Sequence, residues 1–120
     1  MGNHWKDLIV WQKSHALVLK IYNLLTSFPK DEKFGLTDQI KRAAVSIPTN
    51  IVEGHAKHST KDFARFLIIS RGSLEELRYL LLLSCDLKYV STEAYSALEN
   101  DCREISILLN NLLKSLPPKP

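Results

Sequence analysis

The strongest constraint on the fold lies near the C-terminus. Tyr95, Leu98, Cys102, Ile105, Leu109, Leu112 and Leu116 follow one another at alternating spacings of three and four residues, while Glu99, Arg103, Asn110 and Lys114 fall on other faces. An α-helix turns once in about 3.6 residues, so this spacing draws one apolar stripe along a helix, and such a stripe must be covered. Every other long segment shares the helical period, and no stretch alternates convincingly with period two, which predicts an all-α chain.

Local punctuation divides the chain. "FPKDEKFG" (Phe28 to Gly35) ends a first helix, "GHAKHST" (Gly54 to Thr60) separates the second from the third, and "KYVST" (Lys88 to Thr92) separates the third from the fourth. Ser59 with Asp62 resembles a capping box, and Ser91 or Thr92 can cap the last helix. Helices are therefore expected over 6–28, 35–55, 60–88 and 92–115, with "PPKP" as a frayed tail. Short connections favour antiparallel neighbours, hence an antiparallel up-down-up-down four-helix bundle in which residues 1–120 make a single domain.

Composition narrows the class. With 120 residues, 45% hydrophobic and 24% charged, the chain can bury one real core and is not composed like a disordered one. The longest run without charge, Ala43 to Val52, is half of the roughly 20 residues that cross a bilayer, and no apolar leader interrupts the early lysines. A cytoplasmic location is the expectation, with no membrane partner. Cys85 and Cys102 belong to no metal-site spacing, and their offset about the Val90 turn is roughly 10 Å along the helices, which predicts two free thiols.

The apolar surface exceeds what one bundle core needs. On a wheel the first helix carries Leu8, Trp11, His15, Val18, Tyr22 and Leu25 on one side, with Val10, Leu17, Ile21, Leu24 and Phe28 opposite. The third helix places Ile68, Gly72, Tyr79 and Leu83 opposite its main stripe. Two helices with a second stripe predict self-association, and Leu17, Ile21, Leu24, Ile68, Tyr79 and Leu83 are the candidate interface.

Pro48 interrupts the apolar run "VSIPTNIVEG". It cannot donate to the Ala44 carbonyl and disfavours helical geometry at Ile47, so the second helix either kinks there or begins anew. The continuous face Ile40, Ala43, Ala44, Ile47 and Ile51 favours the kink. Beside that face lie Gln39, Arg42, Ser46, Thr49, Asn50 and Glu53. They are either a solvent face or a network in which Asn50 or Ser46 satisfies backbone freed by Pro48 and Arg42 pairs with Glu53 or Glu76.

"LTDQIKRAAVSIPTNIVEG" (Leu36 to Gly54) followed by "FLIISRGSLEEL" (Phe66 to Leu77) resembles the 23S rRNA intervening sequence protein family of small four-helix bundles, and the similarity extends from Asp7 to the last helix. The matching positions include Trp11, Asn50, Glu53, Gly54, Gly72, Ser73 and Glu76. Ser14, Val52 and Ser70 stand where alanine is usual, and "GHAKHS" replaces a more common Gly-aromatic-small-Arg turn, with Lys57 in the basic place. The resemblance implies a homo-oligomer, typically a pentameric ring. It further implies genes set in large-subunit rRNA insertions and kinship with accessory proteins of diversity-generating retroelements, which bind nucleic acid and a reverse transcriptase. It implies no catalytic activity, and it favours a structural network at Arg42, Asn50, Glu53 and Glu76, flanked by Gly54, Gly72 and Ser73.

The formal charge is only +3, so any nucleic-acid site must come from placement. Lys57, Lys61 and Arg65 follow at four-residue intervals beside His55 and His58, and Lys6, Lys13 and Lys20 recur every seven residues on the first helix. These six cations are the candidate phosphate contacts for RNA or DNA. Aromatic residues are not interleaved with them in the sequence, which points away from base stacking. Catalytic signals are weak: His55 and His58 form an HxxH without a third ligand, Glu53 and Glu76 lack an ExxH pattern, and no phosphate-binding glycine loop or nucleophile elbow occurs. The sequence therefore predicts a non-catalytic, cofactor-free homo-oligomer that associates with RNA. The alternative is a protein scaffold, for example for a reverse transcriptase, without nucleic-acid contact.

Overall fold

A computed structural model describes residues 4–117. Four helices follow in order, α1 (Ile9–Leu25), α2 (Leu36–Ala56), α3 (Thr60–Asp86) and α4 (Thr92–Ser115), and no strand occurs among the described residues. α1 and α3 each pack against both α2 and α4. Cross-helix partners run in opposite order, as antiparallel neighbours do: Lys13 meets Glu104 and Lys20 meets Asp101, while Arg71 meets Asn110 and Arg78 meets Glu99. The bundle is 49 Å long, and the 27 residues of α3 cover roughly 40 Å of it.

The expected breaks are where the structure places them, with local chemistry to explain each end. Ser59 Oγ accepts from the Asp62 N–H and Ser91 Oγ from the Ala94 N–H, so both predicted caps form and Ser91 is the one used before α4. α1 differs from expectation by starting at Ile9. A short 3-10 turn, Trp5–Asp7, precedes it, held by the Gln12 side-chain amide donating to the Lys6 carbonyl at 2.9 Å. α3 ends through Lys88, whose φ of 69° lets the Tyr89 N–H return to the Ser84 carbonyl at 2.9 Å. Glu32 does the work expected of a cap at α2: one carboxylate oxygen accepts from the Leu36 N–H and the other from the Tyr89 hydroxyl.

The core runs the length of the bundle through Leu17, Ile21, Ile40, Ile47, Ile51, Leu67, Leu74, Leu77, Ile105 and Leu109. Leu17 and Ile21, expected at a subunit interface, are at most 1% exposed within the single chain. Of the two α1 stripes, theirs is the inward one. Gly54 marks the tightest crossing, because an added Cβ would lie 2.6 Å from Phe66 Cβ and 3.1 Å from Phe63 Cδ1. The opposite wall is tied by a forked ion pair, Arg78 Nε to Glu99 Oε1 at 3.1 Å and Nη2 to Oε2 at 2.6 Å, which raises the Arg78 pKa and lowers that of Glu99.

Both cysteines are free, and burial pushes the Cys102 thiol up to about 12. An unfolded thiol ionises near 8.5, so between about pH 8.5 and 12 the unfolded state binds fewer protons and stability falls as pH rises. Urea denaturation at about pH 8 and 10 should show that loss, at most about 1.4 kcal/mol per unit from this group, and Cys102→Ala should lose that part of the slope. Gly54→Ala should cost about 1–3 kcal/mol in the same assay, because the α2–α3 spacing must open.

Candidate functional site

Two groups of polar residues stood out in the sequence, and the structure treats them differently. The first surrounds Pro48. α2 continues through the proline, so no new helix begins there. Three successive carbonyls just before Pro48 receive side-chain donors: Thr49 Oγ1 donates to Val45 O at 2.7 Å, Asn50 Nδ2 to Ser46 O at 2.8 Å, and Ser70 Oγ of α3 to Ile47 O at 2.9 Å. Asn50 Nδ2 also reaches Ser46 Oγ, which shares a 2.7 Å hydrogen bond with Ser73 Oγ. Each such bond contributes about 1 kcal/mol to this stretch of α2, but none reaches the Ala44 carbonyl, the one that Pro48 leaves without its backbone donor.

The charged members expected in that network lie outside it. Arg42 pairs within its own helix with Asp38, at 2.8 Å, and its side chain is 80% exposed. Glu53 and Glu76 are exposed and form no ion pair among the described residues. Small hydroxyl and amide groups can be satisfied by a neighbouring carbonyl, whereas a carboxylate here would be desolvated without a cation. Gly72 is also unlike Gly54: it is exposed, with no atom within 4 Å of an added Cβ.

The second group is basic. Lys13 and Lys20 are taken up by Glu104 and Asp101 of α4, at 2.6 and 2.9 Å, so the first-helix row is largely neutralised and Lys6 alone of the three has no such partner among the described residues. Lys57, Lys61 and Arg65 instead gather at the α2–α3 end. Lys57 Nζ lies 5.8 Å and the Arg65 guanidinium carbon 4.8 Å from the centre of the Phe66 ring. His55 stands edge-on to Phe63 at 5.8 Å and near His58 at 6.2 Å. Asp62, 3.5 Å from Arg65, is the carboxylate paired within the cluster. His58 has a φ of 52°, a left-handed conformation that turns the chain between the helices.

Phe63 and Phe66 thus put aromatic rings among the basic residues, which corrects the expectation that none is interleaved with them. Phe66 sits one position beyond Arg65 and Phe63 two before it, a spacing that could have revealed them. A further aromatic set joins Trp5 to Trp11 and His15, the latter two being neighbours on one stripe of the first helix. Trp5 meets Trp11 with centroids 4.8 Å apart, and Trp11 stacks on His15 at 5.0 Å with 6° between the rings. No group of three or more His, Cys, Asp or Glu able to hold a metal occurs among the described residues. No helix among them is long and apolar enough to cross a membrane.

Of the remaining interface candidates, Ile68 and Tyr79 are 51% and 61% exposed, whereas Leu24 and Leu83 are half-buried against the core. Ile68 and Gly72 border an open groove between α3 and α4, together with Arg71, Glu75 and Asn110.

These features define a small all-α bundle with a polar α2–α3 seam and a basic, aromatic end. Residues 6–111 match the family model described as 23S rRNA-intervening sequence protein, and the chain belongs to that family. The crystal structure of a protein of unknown function from the S23 ribosomal protein family of Bacteroides thetaiotaomicron VPI-5482 superposes with a TM-score of 0.82. The two are 32% identical, over 89% of this chain and 100% of that one. No curated protein matches.

The division between buried and exposed polar groups has a measurable consequence. Ser70→Ala removes the donor to the Ile47 carbonyl and should lower unfolding stability by about 1–2 kcal/mol, whereas Arg42→Ala should stay within about 0.5 kcal/mol. Chemical denaturation of the two variants tests the assignment, and the reverse ranking contradicts it.

Proposed function

We propose that this protein is a non-catalytic, cytoplasmic homo-oligomer that associates with RNA through the basic end of the bundle. The observation that carries the reading is the packing of Lys57 and Arg65 about Phe66, with Lys61 beside them and Asp62 the single paired carboxylate of the cluster. Cations held over a ring are positioned while their outer faces stay in water, which suits a phosphate backbone. A ring of subunits, a pentamer by family resemblance, would repeat this charge by symmetry and strengthen a patch that is modest in one chain. The family's description, which names 23S rRNA, agrees with an RNA setting.

Self-association is supported by the exposed Ile68, Tyr79, Leu82 and Ile107, together with the open Gly72 surface. The same surface favours a second reading, a scaffold for a protein partner such as a reverse transcriptase, in which nucleic acid is not touched. Light scattering at micromolar concentration checks assembly, and a monomer there removes the ring.

Fluorescence anisotropy of a structured RNA, followed across salt concentrations, separates the two readings. Binding should weaken steeply with salt, and the combined Lys57→Glu, Lys61→Glu and Arg65→Glu variant should lose about three from the slope of log affinity against log salt. No binding at low salt would overturn the RNA reading and leave the scaffold.

A further inference from the structure

Between α1 and α2 runs a groove that the basic end does not use. One half, about 280 Å³, is bordered by Trp5, Trp11 and His15 on one side and by Pro48 and Val52 on the other. The other half, about 430 Å³, is bordered by Tyr22, Lys41 and Asn50. Val45 and Thr49 line both, so the halves adjoin along one wall. His15 is exposed, so the run of rings in which Trp5 meets Trp11 edge-on and Trp11 stacks on His15 ends on a ring open to solvent.

The charge here is of one sign. No carboxylate lines either half. Lys41 Nζ lies 5.1 Å from the Tyr22 ring centre and Lys6 Nζ 5.6 Å from that of Trp5, and neither lysine has an acidic partner within salt-bridge distance among the described residues. Arg42, also at the edge, shares its charge with Asp38. Asn50 donates from Nδ2 to both Ser46 oxygens, which leaves its Oδ1 as an acceptor. The groove between α3 and α4 is different, because Glu75 lines it and its arginines are held by Glu75, Glu99 and Asn110.

Flat π faces, an apolar floor, a hydrogen-bond acceptor and uncompensated ammonium groups match a planar heterocycle carried on an anionic chain. We infer that the α1–α2 groove receives unpaired nucleobases of a single strand, stacked on His15 and Tyr22, with the flanking phosphates near Lys6 and Lys41. The inference rests on the RNA reading and adds to it a preference for single strands, since bases inside a duplex are already stacked on one another.

The chain's two tryptophans, Trp5 and Trp11, both line the groove, so intrinsic emission reports on it directly. Short single-stranded oligoadenylate and oligouridylate and a duplex RNA of equal length are titrated while tryptophan emission and the anisotropy of the labelled RNA are followed together. Single strands should quench emission saturably, and the duplex should not. His15→Ala and Tyr22→Ala, which remove exposed rings and leave the core untouched, should each weaken single-strand binding about tenfold with duplex binding unchanged. Binding seen by anisotropy, with emission unmoved and both variants neutral, overturns the groove and leaves the basic end standing. Absence of any binding removes both. An emission change on concentrating the protein alone, insensitive to added strands, assigns the groove to a second copy and likewise overturns the inference.

Discussion

The α2–α3 contact sets the terms for the rest of the bundle. Gly54 lets α2 approach so closely that a methyl group would collide with Phe66, and hydrogen bonds from Ser70 to Ile47 and between Ser46 and Ser73 hold the same two helices farther along. These contacts fix one antiparallel register, since sliding either helix would strand the buried Ser70 hydroxyl. Pro48 belongs to this arrangement. Its missing N–H would weaken an isolated helix at Ala44, and here the three carbonyls that follow Ala44 are reinforced by donors from Thr49, Asn50 and Ser70. A helix with a proline and a polar flank thus becomes the polar seam of an otherwise apolar bundle.

The fold was legible wherever its causes are local. The seam of α4, the Ser59 and Ser91 caps and the breaks between helices all depend on residues a few positions apart, and the structure follows them. The start of α1 was not legible, because the 3-10 turn there is held by a side chain from the next turn, Gln12, and by Trp5 folding onto Trp11. The wheel also separated the two apolar stripes of α1, and the interface expectation took the one with Leu17 and Ile21 as outward. Leu17 and Ile21 are the inward ones, since α1 lies against both α2 and α4, and of the other stripe His15 and Tyr22 are left toward solvent while Leu25 is buried.

The polar seam was half legible for an energetic reason. Ser46 and Asn50 could be placed near the proline by spacing, and Ser73 entered only through the family resemblance, but neither showed that Arg42 has a nearer acid in Asp38, one turn back on its own helix. An exposed pair at that spacing contributes only about 0.3–0.5 kcal/mol, yet reaching across to Glu76 would require desolvating two charges. The short neutral side chains accordingly enter the seam while Glu53 and Glu76 stay in water.

The same competition decides where the positive charge is felt. α4 read as the acidic part of the chain, and its acids do not form a separate face: Asp101 and Glu104 reach across to Lys20 and Lys13, and Glu99 grips Arg78. The sides of the bundle that touch α4 are thereby neutralised. Lys57 and Arg65 at the α2–α3 end, and Lys6 and Lys41 along the α1–α2 groove, lie beside Phe66, Trp5 and Tyr22, with few carboxylates among them. A net charge of +3 is too small to make the whole molecule an electrostatic trap, so its effect depends on this segregation. Cations beside π faces, with the acids drawn to the far wall, give a modestly charged bundle two places where positive charge is concentrated next to an aromatic ring.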